Sequence, residues 1–201
     1  FGLTTSVISI SSLYLIANFL SALLLFITIF FYVVIYTMFL KQRTPQNIVI
    51  GGASGALPPI IGWAVATGNI SLEPLFLFLI IFFWTPSHFW ALSLYKTDDY
   101  SNAKIPMLPI VAGTKTTKIN IFVYSIILFV TSITPYFFGF VGTSYFFLSL
   151  FLGIYYVYLC YKLLITTSKE KFFAKKIFVY SILYLFLIFT ILLIDNILYN
   201  V

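Results

Sequence analysis

The composition of this chain excludes an ordinary soluble domain. Hydrophobic residues make up 62% of its 201 residues and charged residues 8%, against roughly 25% charged residues in soluble domains. The mean hydropathy is +1.09. The formal charge of +6 is spread over short loops, which argues against a nucleic-acid partner, because phosphate binding needs basic residues on one face. We therefore predict an all-α integral membrane protein that sits in a lipid bilayer.

Seven apolar segments are long enough to be membrane spans. The first forty residues carry no charge and accommodate two spans, divided by a turn at Asn18. Pro58 and Pro59 leave carbonyl groups unbonded, so the third span is either a kinked packing helix or a cavity wall. Strands are disfavoured because the segments do not alternate polar and apolar residues. With roughly 20 residues needed per span, the predicted spans cover about 2–17, 20–40, 48–67, 74–94, 119–139, 145–163 and 177–197.

Basic residues alternate between successive loops. From the loop after the second span onward, the loops hold two, zero, four, zero, five and zero Lys or Arg residues. Basic loops stay on the cytoplasmic side of a membrane, so the pattern predicts an amino end inside and Asp195 at the outer interface. Two polar clusters, at residues 36–47 and 84–109, then share the inner face.

The first polar cluster contains residues that can bind a phosphate ester. An Arg side chain can donate a bidentate fork, and Lys adds a point charge; here they are Arg43 and Lys41, with a phenol at Tyr36. Tyr36, Arg43 and Asn47 follow helical spacing, although Pro45 can break the phase. The alternative is that the cations only set topology and that Tyr36 belongs to an interfacial aromatic belt.

The second polar cluster holds the chain's single histidine, His88, and its only adjacent acids, Asp98 and Asp99. A neutral imidazole can orient a substrate, ligate a metal or haem iron, or move a proton, and it can equally be a hydrogen-bonded packing residue. Two carboxylates can hold Mg²⁺ together with substrate phosphate oxygens. A helix cap or a solvated loop would explain the same acids. The basic loop at 168–176 is predicted to contact anionic lipid.

Three segments together resemble the protohaem IX farnesyltransferase (haem O synthase) family, a branch of the UbiA-type membrane prenyltransferases. They are YTMFLKQRTPQNIVIGGASGALPPIIGWAVATG at 36–68, WTPSHFWAL at 84–92 and DDYSNAKIPMLPIVAG at 98–113. The resemblance implies a UbiA-like transmembrane helix bundle with nine spans, of which about seven are present. It also implies transfer of a farnesyl group from farnesyl diphosphate to a vinyl group of protohaem IX (haem B). The products would be haem O and diphosphate, with Mg²⁺ assisting.

Eight polar residues match positions of the family's motifs, and the resemblance implies a role for each. Most of them would bind diphosphate, directly or through Mg²⁺, and one would face haem. The candidates are Tyr36, Lys41 and Arg43 for diphosphate, Asn47 as their support, Lys96 beside the acids, Asp98 and Asp99 for Mg²⁺, and His88 for the haem side.

The chain departs from the family's pattern in three ways. The first acidic motif, an Asn followed by two Asp at four-residue steps, is absent together with the two helices around it. We therefore expect a single transmembrane prenyltransferase domain over residues 1–201 that lacks its first two helices and half of its metal site. Gln42 stands where a base is expected, with Arg43 as its substitute. Ser87 and Lys104 replace the commoner Pro and Gly.

Three other functions compete with this one. A UbiA-type prenyltransferase acting on a quinone precursor is disfavoured by the WTPSHFWAL and PMLP segments. A polytopic secondary transporter would need the acids at membrane depth, whereas they are predicted in an inner loop. A non-catalytic assembly protein for a haem oxidase is the third. The expected partners include haem A synthase or a terminal oxidase assembly. The expected location is the bacterial plasma (inner) membrane, with the mitochondrial inner membrane as the alternative.

Overall fold

The computed structural model describes residues 1–103 and 105–199, without the side chains of residues 198 and 199, so Lys104 lies outside the described residues. Every regular element within these ranges is helical. The helices are α1 (Gly2–Ile16), α2 (Phe19–Phe30, continued by a π-helix over Phe31–Leu40), α3 (Asn47–Ala56), α4 (Pro58–Thr67), α5 (Leu72–Tyr95), α6 (Thr97–Asn102), α7 (Leu108–Val111), α8 (Gly113–Phe137), α9 (Thr143–Ile165) and α10 (Glu170–Tyr199).

The predicted all-α membrane fold is confirmed, with a slightly different number of spans. Within the described ranges, six helical segments are long and apolar enough to cross a membrane, and α3 and α4 together make one of them, Asn47–Thr67. The first predicted span corresponds to α1, which has 15 residues. At 1.5 Å per residue such a helix is about 22 Å long, less than the roughly 30 Å of a hydrocarbon core.

Contacts divide the chain into two units, residues 1–82 and 83–201. The prediction of a single domain stays a prediction.

In the first unit, the turn predicted at Asn18 is present. Its Oδ1 accepts the Ser21 N–H at 2.9 Å and caps α2, while its Nδ2 donates to the Ala64 carbonyl at 2.7 Å. One side chain therefore closes the α1–α2 turn and ties it to α4.

The second half of the long helix beginning at Phe19 is a π-helix. The Lys41 N–H donates to the Tyr36 carbonyl at 2.8 Å, so the hydrogen bond joins residues five apart rather than four. The α-helical face predicted through Tyr36, Arg43 and Asn47 is therefore wrong, because the helix is wider here and residues 41–46 form a turn. Tyr36 and Lys41 are instead one helical turn apart.

The two prolines interrupt the third predicted span only slightly. Leu57, between α3 and α4, keeps right-handed helical backbone angles, φ −72° and ψ −24°, and Pro58 begins α4, where a missing N–H costs no hydrogen bond. This geometry matches the kinked packing helix of the two alternatives.

In the second unit, α9 packs against both α8 and α10. Buried hydroxyl groups connect the three helices: Tyr145 Oη donates to the Ser132 carbonyl at 2.9 Å, and Tyr184 Oη donates to Ser132 Oγ at 2.7 Å. Because hydrogen bonds in an apolar interior are costly to leave unmade, these contacts fix the register of the three helices.

The two ends of the second unit differ in charge. At one end Lys118, buried between α8 and α9, donates to the Thr166 carbonyl at 2.6 Å and pairs with Glu170. At the other end Asp195 Oδ2 accepts the Gly142 N–H at the start of α9. Asp195 was expected at the outer interface. It is 1% exposed, and its other oxygen, Oδ1, has no hydrogen-bond partner among the described residues.

Candidate functional site

Tyr36 is held against α3. Its ring lies over Gly51, so closely that a Cβ atom at position 51 would overlap the ring. It also packs on Tyr32, with ring centroids 5.6 Å apart. Tyr36 lies in the π-helix, and its ring can approach the backbone of α3 closely because Gly51 has no side chain.

We expect Gly51→Ala to destabilise the protein by about 1–3 kcal/mol, because the added methyl group displaces the Tyr36 ring. The measurement is thermal unfolding of the purified protein in detergent. Gly55→Ala is the matched control one turn further along α3, where nothing in the described part of the chain lies within 4 Å of the added atom. Equal melting temperatures for the two variants would contradict the contact.

Asn47 organises the turn that carries the two cations. It is 1% exposed, and its Nδ2 donates to the Lys41 carbonyl at 3.0 Å. Its Oδ1 is buried and has no hydrogen-bond partner among the described residues. Arg43 is exposed, with its guanidinium 5.4 Å from the centroid of the Phe39 ring. The amide thus fixes the backbone, while Lys41 and Arg43 form no ion pair within the described ranges.

His88 lies in α5 with 7% of its surface exposed, and its ring stacks on Trp84 and Phe178 at centroid distances of 4.2 and 4.7 Å. Its Nδ1 is 2.6 Å from Ser181 Oγ. Ser181 Oγ donates its single proton to the Phe178 carbonyl at 2.6 Å. Both hydrogen bonds are satisfied together when the imidazole carries its proton on Nδ1, and in that tautomer Nε2 is the acceptor nitrogen, the one that can bind a metal or take up a proton.

Asp98 and Asp99 lie in the first turn of α6. Each pairs with a different lysine: Asp99 with Lys96 at 3.1 Å and Asp98 with Lys171 of α10 at 3.4 Å. Their side chains are 66% and 83% exposed. Neither caps the helix, because its first residue is preceded by Lys96 without a side-chain cap. The two adjacent carboxylates are therefore exposed, lie just after a membrane span, and are each partly neutralised by a lysine.

The ammonium group of Lys96 keeps its charge around neutral pH. The Asp99 carboxylate, through its hydrogen bond and its charge, raises the pKa of Lys96. A raised pKa keeps the ammonium group charged at neutral pH, and this charge is lost only as the pH rises through the raised value. Burial, with the nearby Asp99 charge, raises the pKa of Tyr100. Its phenol therefore remains a proton donor.

Asp98 and Asp99 provide too few ligands to enclose a metal ion by themselves, but they could bind a cation whose other ligands come from a substrate. Within the described ranges, no group of three or more His, Cys, Asp or Glu side chains could hold a metal ion. Two carboxylates remain, and Mg²⁺ is commonly bound by one or two carboxylates together with substrate phosphates and water. Asp98 and Asp99 fit that arrangement.

A cavity of about 260 Å³ lies beside Asp99, between the end of α5 and the segment after α6. It is lined by Lys96, Asp99 and Tyr100 together with apolar side chains, so it combines cationic, anionic and apolar walls. A larger cavity of about 560 Å³ lies between α1 and α2. It contains none of the candidate residues, and we assign it no role.

The structure places the predicted residues in three groups. Tyr36, Lys41 and Asn47 come together around one turn, with Arg43 exposed beside them. Asp98, Asp99 and Lys96 form the second group, and His88 lies apart from it, against α10. Sequence reasoning missed Ser181 and Lys171. Ser181 carries no signal in an apolar run, whereas the basic loop at 168–176 gave a weak one for Lys171.

The fold and the candidate site define a multi-pass, all-α membrane protein with cationic and acidic side chains at the ends of its helices. The UbiA prenyltransferase family matches residues 1–183, and the chain belongs to that family.

Several bacterial proteins named protoheme IX farnesyltransferase are similar to the chain. The protein of Pelagibacter ubique is 59% identical over 98% of the chain and 66% of its own length. That of Parvibaculum lavamentivorans is 50% identical over 98% of the chain and 63% of its own length. The protein of Neorickettsia sennetsu is 48% identical over 97% of the chain and 63% of its own length. The chain thus spans slightly less than two thirds of the length of these relatives. No solved structure matches it.

Proposed function

We propose that this chain belongs to an enzyme that transfers a farnesyl group from farnesyl diphosphate to a vinyl group of haem B, giving haem O and diphosphate. The observation that carries the proposal is the acidic pair Asp98 and Asp99, of which Asp99 lines the mixed cavity. The chain is 59% identical to a protein named protoheme IX farnesyltransferase. The relatives' names supply the substrates, and the site supplies groups suited to a diphosphate ester at a membrane surface.

The chemical difficulty of this reaction lies in the leaving group. As the bond between the farnesyl C1 atom and oxygen breaks, negative charge develops on diphosphate, while the vinyl π electrons form the new carbon–carbon bond. The cation left on the haem side is then captured by water, which loses a proton and becomes the hydroxyl group of haem O. Fixed cations close to the departing oxygen stabilise this charge and lower the barrier.

We infer that Asp98 and Asp99 hold Mg²⁺, on which UbiA prenyltransferases generally depend. The ion would supply charge stabilisation for the leaving diphosphate. Lys96, kept charged by Asp99, can donate to a phosphate oxygen, and so can the phenol of Tyr100 in the same cavity. In the first unit, we propose Lys41 and Arg43 as diphosphate-binding cations, with Tyr36 and Asn47 fixing their turn.

His88 is proposed for the haem side of the reaction. The contact with Ser181 is compatible with a proton on Nδ1 and an acceptor at Nε2, and the imidazole stacks on the rings of Trp84 and Phe178. An aromatic, apolar environment with one nitrogen acceptor suits a flat macrocycle that carries a metal. The proposed location is the bacterial plasma membrane, where the enzyme would deliver haem O to haem A synthase or to terminal oxidase assembly.

The test is complementation of bacterial cells that lack haem O synthase, using the complete reading frame that encodes this chain. Haem is extracted from the membranes and separated by chromatography with mass detection. We expect haem O to appear, and not to appear with an empty vector. If the protein reaches the membrane but makes no haem O, while purified protein prenylates a quinone precursor, the haem assignment is wrong and the family assignment stands.

A further inference from the structure

Four side chains form a continuous strip across α9 and α10 at the basic end of the second unit. Lys162 Nζ lies 5.5 Å from the centroid of the Tyr158 ring, and Lys176 Nζ lies 5.9 Å from that of Tyr155. The two rings stack with centroids 6.3 Å apart. Both rings are exposed, by 49% and 40%. We refer to Lys162, Tyr158, Tyr155 and Lys176 as the Lys–Tyr strip.

The two ammonium groups of the Lys–Tyr strip are not offset by carboxylates in the part of the chain that the structure describes. The nearest acid in sequence, Glu170, pairs with the buried Lys118, and Asp98 pairs with Lys171. Contact with the electron-rich face of a tyrosine ring orients an ammonium group without neutralising it. The strip therefore presents two positive charges to an anion.

The helical faces that continue from the Lys–Tyr strip are apolar and exposed. On α9, Phe151 precedes Tyr155 by one turn and is 68% exposed. On α10, Val179 and Leu183 follow Lys176 by three and seven residues, which puts them on its face, and they are 56% and 48% exposed. All three lie in segments able to span a membrane. A ligand that covers the whole face needs an anionic head and a long apolar tail.

We propose that the Lys–Tyr strip binds the headgroup of an anionic phospholipid, whose acyl chains lie along the exposed faces of α9 and α10. Lysines near a membrane surface attract anionic lipid, and tyrosine rings prefer the depth of the headgroups. Phosphate oxygens accept from Lys162 and Lys176, and the phenol groups face the ester region. The strip contains none of the residues proposed for farnesyl transfer, so the two proposals stand independently.

The experiment measures lipid binding to the full protein, purified in a mild detergent. Phosphatidylglycerol or phosphatidylcholine with identical acyl chains is titrated in, and bound lipid is counted by native mass spectrometry. We expect phosphatidylglycerol to bind at least roughly tenfold more tightly, and the variant Lys162→Gln with Lys176→Gln to lose about tenfold of that affinity. The matched comparison uses two single variants: Lys162→Gln, in the strip, and the control Lys115→Gln, which removes the same charge from an exposed lysine outside both the strip and the basic loop at 168–176.

The control variant is expected to change the affinity less than about threefold, because headgroup attraction falls off within a Debye length. Equal losses of affinity in Lys162→Gln and Lys115→Gln would reduce the effect to net charge and overturn the site. Equal binding of the two lipids would overturn it too. If inorganic phosphate alone raised the melting temperature of the protein, and the strip variant lost this effect, the ligand would be a soluble anion and the lipid proposal would be wrong.

Discussion

Replacing Asp98 and Asp99 together by asparagine is expected to lower the rate of farnesyl transfer at least about a hundredfold at equal amounts of protein in the membrane. Asparagine keeps the shape of each side chain but removes the charge that would hold Mg²⁺. The ion's stabilisation of a developing negative charge is worth several kcal/mol, and each 1.36 kcal/mol corresponds to a factor of ten. The assay follows haem O formed by isolated membranes supplied with haem B, farnesyl diphosphate and Mg²⁺.

Lys171→Gln is the matched control for the acids. It removes the ammonium group that pairs with Asp98 at 3.4 Å and leaves both carboxylates in place. Since the pair is 66% and 83% exposed, and exposed pairs contribute at most about 1 kcal/mol, we expect activity within about threefold of the unmodified protein. If Lys171→Gln lowered the rate of farnesyl transfer as much as the asparagine variant does, the loss would be due to the broken ion pair rather than to the metal. Full activity of the asparagine variant would remove the acids from the mechanism.

Replacing Lys118 by methionine is expected to destabilise the second unit by about 2–3 kcal/mol. The side chain is 7% exposed, pairs with Glu170, and donates to the Thr166 carbonyl where α9 ends. Its removal leaves a carboxylate and a carbonyl group without their partner. Breaking a buried ion pair costs about 3–5 kcal/mol, and we expect less here because Glu170 is 31% exposed. Unfolding in mixed micelles of increasing denaturing detergent measures the change.

A double-mutant cycle separates the ion pair from the packing of the lysine stem. If the unpaired charge dominates, Lys118→Met combined with Glu170→Gln should recover part of the lost stability, because no uncompensated charge remains. Lys115→Met, at an exposed position of the same helix, should stay within about 0.5 kcal/mol. Strictly additive effects at positions 118 and 170 would contradict a direct interaction.

The membrane spans could be predicted from the sequence, whereas the helix ends could not. Long apolar runs set the spans, and Asn18 marked the turn between α1 and α2 because an amide in an uncharged run is a natural cap. Helix α8 begins at Gly113 and α10 at Glu170, both earlier than the apolar runs predicted. Polar residues continue a helix beyond the membrane, so hydropathy locates the bilayer rather than the helix.

Contacts between candidate residues could be expected from the sequence only where those residues are close in sequence. Lys96 and Asp99 are three apart and form their pair. By contrast, Ser181 contacts His88 across 93 residues, and Lys171 contacts Asp98 across 73; no local pattern predicts such contacts. The sequence did not predict the π-helix around Tyr36, because an apolar sequence is compatible with both α-helical and π-helical hydrogen bonding. Local propensity also says nothing about the packing of the Tyr36 ring on Gly51, which is a tertiary contact.

The buried carboxylate of Asp195 has a consequence for biogenesis. An acid in a helix that enters the membrane by itself costs roughly 2.5–3.5 kcal/mol at the bilayer centre and less toward the ends. In the folded protein that carboxylate accepts the Gly142 N–H at the amino end of α9. Integration of α10 is therefore favoured once α9 is beside it. We therefore expect α9 and α10 to enter the bilayer more readily as a hairpin than α10 does alone.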